Sequence, residues 1–205
     1  MRVIEKEIFK YEELDDMAKY KAKDWYRQFV FNDSCDWEFV LEDAVQAAEI
    51  LGMDIDTRRG SREHAIYFSG FWNQGDGACF EGSYRYAKGA TKKIREYAPQ
   101  DKELHRIADE LQTIQRRNFY KLYATIRQRG HYNHSGCMSV SVEHKADPYR
   151  DIGDTEDEVT QLMRDFADWI YDQLEKEYEY QCSDNAVEES IIANEYEFDE
   201  DGDRV

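Results

Sequence analysis

Apolar positions recur with helical spacing in four stretches of the chain. Over residues 12–30, Leu14, Met17, Ala18, Ala22, Trp25 and Phe29 share one helical face, and over 35–51 so do Trp37, Val40, Leu41, Ala44, Ala48 and Leu51, with Gly52 as a stop. A third helix is predicted after Pro99 from Leu104, Ile107, Ala108, Leu111 and Ile114. The fourth opens on Thr155-Glu-Asp-Glu158, which reads as a capping box, and carries Val159, Leu162, Met163, Phe166, Ile170 and Leu174. Elsewhere the period falls to two. Tyr120, Leu122, Ala124 and Ile126 alternate with polar residues, as do Met138, Val140 and Val142, so two strands are expected to pair across "RGHYNHSG". A second hairpin is expected from residues 65–72 and 78–82 around "NQGDG", with an edge strand over 2–9.

The pattern therefore predicts an α+β fold, a mainly antiparallel sheet packed by amphipathic helices. No repeat or proline-rich linker divides it, so residues 1–194 are read as one domain, of which 151–194 is an acidic helical part, and 195–205 as an acidic tail expected to be disordered. Hydrophobic residues at 41% and aromatic ones at 14% of the 205 are enough for a core. Cys35, Cys79, Cys137 and Cys182 are scattered without a CxxC pair, and "MRVIEKEIFKY" lacks the apolar core of a signal peptide. Reduced thiols in a cytoplasm are expected, with no membrane span.

Charge changes the picture more than composition does. The formal net charge is −18, and residues 151–205 hold 20 acids against 3 bases, whereas residues 85–130 hold 12 bases against 5 acids. One reading is structural: the acidic helix is solvated, or folds back on, or forms a homodimer against, the basic helix near Arg116 and Arg117. The sharper reading is that Asp165, Asp168, Asp172, Glu175 and Glu179, at three- and four-residue steps, form a carboxylate stripe that with Glu188 and Glu189 imitates a phosphate backbone and engages a basic groove.

Two stretches hold candidate chemistry. In "FSGFWNQGDGACFEG" the loop residues Trp72, Gln74, Asp76 and Glu81 are candidates, with Asp76 and Glu81 as an acid–base pair. The loop is too short for a phosphate cradle and lacks a calcium loop's ligand spacing, so two glycines bracketing an aspartate read better as a tight connection. In "GHYNHSGCMS", His131, His134 and Cys137 are zinc-ligand types at three-residue intervals, but no fourth ligand is evident and no metal or cofactor is expected. A Cys137 nucleophile with a histidine base is the catalytic alternative. "RRNFYKLYATIRQRGHY" mixes cations with rings as nucleic-acid binders do, against which stands the overall charge.

Three of these stretches, "KAKDWYR" at 21–27, "YFSGFWNQGDGACFEGSY" at 67–84 and "RGHYNHSGCMSVSVE" at 129–143, resemble a family of uncharacterised proteins encoded by phages and prophages, over about residues 20 to 145. The resemblance carries over no reaction, ligand or functional residue. It implies a mobile-element context, in which small acidic inhibitors of host defence nucleases, anti-CRISPR proteins among them, are common. The sequence is accordingly read as a non-enzymatic inhibitor whose acidic surface blocks the DNA or RNA groove of a host defence complex. The alternatives are a small enzyme or ligand-binding protein using Asp76, Glu81, His131, His134 and Cys137, and an oligomeric structural protein.

Overall fold

The computed structural model describes residues 6–29, 36–147 and 150–205. In chain order they form β1 (Phe9–Lys10), α1 (Asp16–Phe29), α2 (Glu38–Leu51), β2 (Met53–Ile55), β3 (Ile66–Ser69), β4 (Gly77–Phe80), β5 (Gly82–Arg85), α3 (Ala90–Tyr97), α4 (Lys102–Arg117), β6 (Leu122–Gln128), β7 (Met138–His144), α5 (Thr155–Gln181), α6 (Asp184–Ala193) and β8 (Glu197–Phe198). The fold is α+β, with every strand pairing antiparallel. The chain divides into two compact units, a smaller one of residues 1–37 with 176–205 and a larger one of residues 38–175.

In the larger unit the main sheet has the order β2-β5-β6-β7, and β3 with β4 makes a separate two-stranded ladder. Alternation decides which face is buried: Leu122, Ala124 and Ile126 of β6 face the core, while Tyr123, Thr125 and Arg127 face outward. The predicted β6–β7 hairpin is present, in register from Leu122↔His144 to Gln128↔Met138. The predicted strand over 78–82 is instead two strands. At Glu81 the chain leaves one ladder for the other, its N–H donating to Ala65 O and its carbonyl accepting from Asp56 N–H. Gly82 is required there, since a Cβ would lie 2.2 Å from the Asp54 carbonyl oxygen.

Helices α4 and α5 pack antiparallel. Asp101 caps α4 through Leu104 N–H at 2.9 Å and accepts from Trp169 Nε1 at 2.7 Å, while farther along Arg106 meets Asp165 and Arg117 meets Glu158. Between helices and strands the core is aromatic, with Phe166 edge-on to Phe80 at 5.7 Å and stacked on Trp169 at 5.5 Å. The expected capping box is not formed. Thr155 is already helical, Glu158 is drawn to Arg117, and Glu156 accepts from the Val142 N–H on the edge of β7. Helix α3 and strand β2 have no counterpart in the predicted pattern.

In the smaller unit β1 pairs with β8, and α1 and α6 enclose Tyr11, Leu14, Ala18, Ala22, Val187, Ile191 and Phe198. Residues 2–5 of the expected edge strand lie outside the described residues, and the strand at Phe9–Lys10 joins β8 rather than the main sheet. The stretch 195–205, read as a tail, contains the buried Phe198. It is tied down by Lys6–Asp199, Lys10–Glu197 and Lys21–Asp203 ion pairs and by Arg204, whose guanidinium lies 5.0 Å from the Trp25 ring and 4.9 Å from that of Tyr196. Met17, expected on the apolar face of α1, is 79% exposed. A separate helix, α6, replaces the expected continuation of the fourth helix, with Ser183 Oγ accepting from Ala186 N–H.

One backbone feature of the larger unit is costly. Helix α4 ends in a Schellman arrangement, Tyr120 N–H to Gln115 O at 2.7 Å and Phe119 N–H to Arg116 O at 3.3 Å, with Phe119 at φ +54° where glycine is usual, followed by Tyr120 at φ +60°. Behind the turn, buried Gln115 bonds both the N–H and the carbonyl of Leu122 and so fixes where β6 starts. A left-handed non-glycine residue costs about 1 kcal/mol. Replacing Phe119 by Gly is therefore expected to raise stability by up to about 1 kcal/mol, read as a melting temperature higher by a few degrees; a fall would show that the ring contributes to packing.

Candidate functional site

The aspartate of the "NQGDG" loop is engaged by its own turn. Asp76 Oδ2 accepts from the N–H groups of Trp72 at 3.0 Å and Asn73 at 2.6 Å, while its own N–H donates to Asn73 O at 3.1 Å. Gly70 allows this closure, since a Cβ there would sit 2.6 Å from Asp76 Oδ2. Trp72 at 68% exposure and Gln74 project outward. Glu81 lies beyond the extended strand β4, about 16 Å along the chain at 3.3 Å per residue, and accepts from Gln128 N–H at 3.1 Å. The acid–base pair entertained from the sequence is not assembled.

The second motif forms the turn between β6 and β7. His134 precedes a single 3-10 turn, Ser135–Cys137, and its Nδ1 accepts from Gly136 N–H at 3.1 Å. That bond places the ring proton of neutral imidazole on Nε2, which lies 3.6 Å from Cys137 Sγ. The ring therefore offers an N–H to sulfur; it is not poised to take the thiol proton as a general base would. His131 is exposed and stands apart from this contact, and among the described residues no three His, Cys, Asp or Glu side chains are grouped to hold a metal ion.

The two motif turns meet. Asn133 Nδ2 donates to Phe68 O at 3.3 Å, a Cβ on Gly77 would lie 2.6 Å from His134 Cβ, and one on Gly75 would lie 3.5 Å from the Tyr132 ring. Cys79, two residues beyond Gly77 on the same side of β4, faces this turn as well. It is fully buried, and burial first, then Cys137 and Glu81, pushes its thiol up to about 12.

Helix α5 braces both turns with side chains two helical turns apart, Arg164 donating to Met138 O at 3.3 Å and the Tyr171 hydroxyl to Gly70 O at 3.0 Å. Tyr171 stacks on Phe71 at 5.5 Å, and its phenol is held above its ordinary value by burial and then by Asp76, Glu175 and Asp172. Arg164 and Tyr171 were missed by sequence reasoning. Their seven-residue spacing was visible, but nothing local indicated what they reach.

The same helix carries the expected stripe, which the structure alters at one end. Asp165 is mostly buried, bonded by Gln161 at 2.7 Å and by Arg106, whose guanidinium is shared with Glu103 and Glu110 and held above its ordinary value by those three acids. Asp168 and Asp172 are exposed and Glu175 is half-buried. In the smaller unit Glu179, Glu188 and Glu189 are exposed, Glu188 accepting from the Tyr11 hydroxyl at 3.5 Å.

Residues 37–184 match the model of a domain of unknown function, DUF8835. The chain belongs to that family. The stretches 67–84 and 129–143 lie inside the matched residues and 21–27 lies outside, so the two turns and the helix that braces them are family territory. The match speaks to neither phage origin nor anti-CRISPR activity. No curated protein and no solved structure matches the chain.

Two outcomes are expected. Asp76→Ala removes two charge-assisted bonds from a partly exposed turn and should lower stability by about 1 to 2 kcal/mol in thermal unfolding; an unchanged melting temperature with loss of a binding activity would make Asp76 a ligand group instead. Among the described thiols, iodoacetamide should modify Cys137 first and leave Cys79 untouched in the native protein, and His134→Ala should slow Cys137 several-fold, as site-resolved mass spectrometry would show. Equal rates in the two proteins would mean that the ring contact has no chemical effect.

Proposed function

We propose that the protein is a binding protein, not an enzyme, that presents carboxylates to the cationic DNA- or RNA-binding groove of a host defence complex, a CRISPR effector being the leading example. The observation that supports this most is the placement of Asp168 and Asp172, exposed one turn apart on α5, whose opposite face buries Phe166, Ile170 and Leu174. With Glu175 they set about one charge per 5 Å of helix, the same order as the roughly 3.4 Å per phosphate of one DNA strand. A buried helix holds them rigid, which is what a mimic of a stiff polyanion needs. Internal pairing cannot exhaust the acids, because 45 Asp and Glu face only 27 Lys and Arg. Among the described residues no helix is long and apolar enough to cross a membrane.

The contact between His134 and Cys137, where the two motif turns meet, favours a second reading, a small-ligand or thiol site; Asp76 and Glu81 are engaged by backbone and take no part in it.

The first reading is tested with Asp168→Asn, Asp172→Asn and Glu175→Gln combined. Removal of like charges at helical spacing should leave the melting temperature unchanged or slightly higher. Capture of nucleic-acid-handling defence complexes from a lysate should fall at least tenfold, and capture by the parent should weaken steeply as salt rises. Equal capture by variant and parent at every salt concentration would make the acidic face a solvated surface and end the proposal.

A further inference from the structure

The end of α4 displays aromatic rings at the surface. Phe119 is 68% and Tyr120 40% exposed, both at positive φ, so a strained backbone holds apolar side chains in water. The Tyr86 ring lies 4.4 Å from that of Tyr120, and just along the chain Tyr123, on the outward face of β6, has Lys145 Nζ 5.6 Å from its centroid. The Arg150 guanidinium lies 5.8 Å from the Phe119 ring. Arg116, one turn before Phe119, and Lys121, next after Tyr120, are exposed.

These cations differ from three arginines on α4 and β6. Arg106, Arg117 and Arg127 are each in an ion pair, whereas Arg116, Lys121, Lys145 and Arg150 form none among the described residues. Lys121 and Lys145 are adjacent, the Lys145 N–H donating to Lys121 O at 2.8 Å. Glu143, opposite Tyr123 in the ladder, Asp147 on the following turn and Asp151 next to Arg150 are the acids of the same stretch, three against four cations. The patch is locally positive on a strongly acidic protein. At about 0.1 M salt charges beyond about 10 Å are screened, so the local sign governs a ligand seated here.

We propose that Phe119, Tyr120, Tyr123, Arg116, Lys121 and Lys145 form a binding site for single-stranded nucleic acid. Rings interspersed with cations that form no ion pair among the described residues suit the bases and phosphates along a strand. A duplex hides the base faces that Phe119 would stack on, so it can use only the cations. An acidic peptide could likewise satisfy the cations but has no flat group for the rings. This site is distinct from the acidic face of α5 and does not depend on its role.

The test is fluorescence anisotropy with a fluorescein-labelled single-stranded DNA of about a dozen nucleotides at about 0.1 M salt. Saturable binding is expected, with the duplex of the same sequence at least tenfold weaker. Phe119→Gly keeps the left-handed turn, so it should lose affinity at least tenfold without any fall in melting temperature. Lys121→Glu with Lys145→Glu should weaken binding and flatten its salt dependence. The triple α5 variant should bind the oligonucleotide as the parent does, which separates this site from the groove-blocking face. No binding by the parent, equal binding by Phe119→Gly, or displacement of the oligonucleotide by polyglutamate at equal charge concentration would overturn the proposal, the last in favour of an acidic protein partner.

Discussion

The antiparallel contact of α4 with α5 is the constraint on which the larger unit depends. α5 must bury Val159, Leu162, Met163, Phe166, Ile170 and Leu174, and it can do so only if the charges flanking that face are answered. α4 answers two of them, Asp165 through Arg106 and Glu158 through Arg117, and its cap Asp101 accepts from Trp169 at a third level. Because these partners are spaced along both helices, sliding one helix by a turn would break all three at once. Exposed ion pairs contribute little individually, and here they fix register more than stability. With the register fixed, Arg164 and Tyr171 reach the two motif turns and Asp168 and Asp172 are left facing solvent.

The motif turns follow from the same arrangement. Their glycines stand where backbone or side chain approaches too closely for a Cβ: Gly70 against Asp76, Gly77 against His134, Gly82 against the Asp54 carbonyl and Gly136 against the His134 ring. A dense run of small and aromatic residues thus specifies a joint between two ladders. Asp76 closes one side of the joint by accepting backbone N–H groups, and Gly136 orients the imidazole on the other. Side chains that project from the joint include Trp72, Gln74, His131 and Tyr132, with His134 and Cys137 half-buried beside them.

Elements whose periodicity runs far enough to exclude the other period were legible from the residues alone. The positions of α5 that its 3.6-residue pattern named are all buried, joined by Ala167 and Trp169, which it did not name, and the β6–β7 ladder follows the alternation of both strands. α3 was not legible because only Ala90 and Ile94 face inward, nor was β2, three residues long. Residues 78–82 read as one strand, and the change of ladder at Glu81 depends at Gly82 on a carbonyl 28 residues away in sequence. Tyr120 was read as the start of β6, but helix-terminal hydrogen bonds hold it at positive φ, so the strand begins at Leu122. The site shows the same division. The turn role of Asp76 and the contact of His134 with Cys137 are local and readable, whereas the capture of Asp165 by Arg106, 59 residues away, required the fold.

That capture bears on how the protein's charge is organised. Counted along the sequence, an acidic C-terminal region faces a basic middle, which invites the idea that the two simply neutralise each other. In the folded chain only part of each does. Arg95, Arg106, Arg117 and Arg127 are matched by Asp109, Asp165, Glu158 and Asp56, and in the smaller unit Asp184 is matched by Arg27 and Lys23, which hold its carboxyl below the usual range. Among the charges outside these pairs, exposed Asp168 lies on a helix whose other face is buried, and exposed Arg116 and Lys121 lie beside aromatic rings on a strained turn, while Arg59, Arg62, Lys88 and Lys93 are exposed elsewhere. Solubility alone gives no reason for exposed rings to stand beside Arg116 and Lys121, since arginine and lysine scattered anywhere would serve. Two surfaces of opposite sign, each held by rigid elements, are what a chain requires if it is to touch a cationic groove and the polyanion that belongs in that groove at the same time.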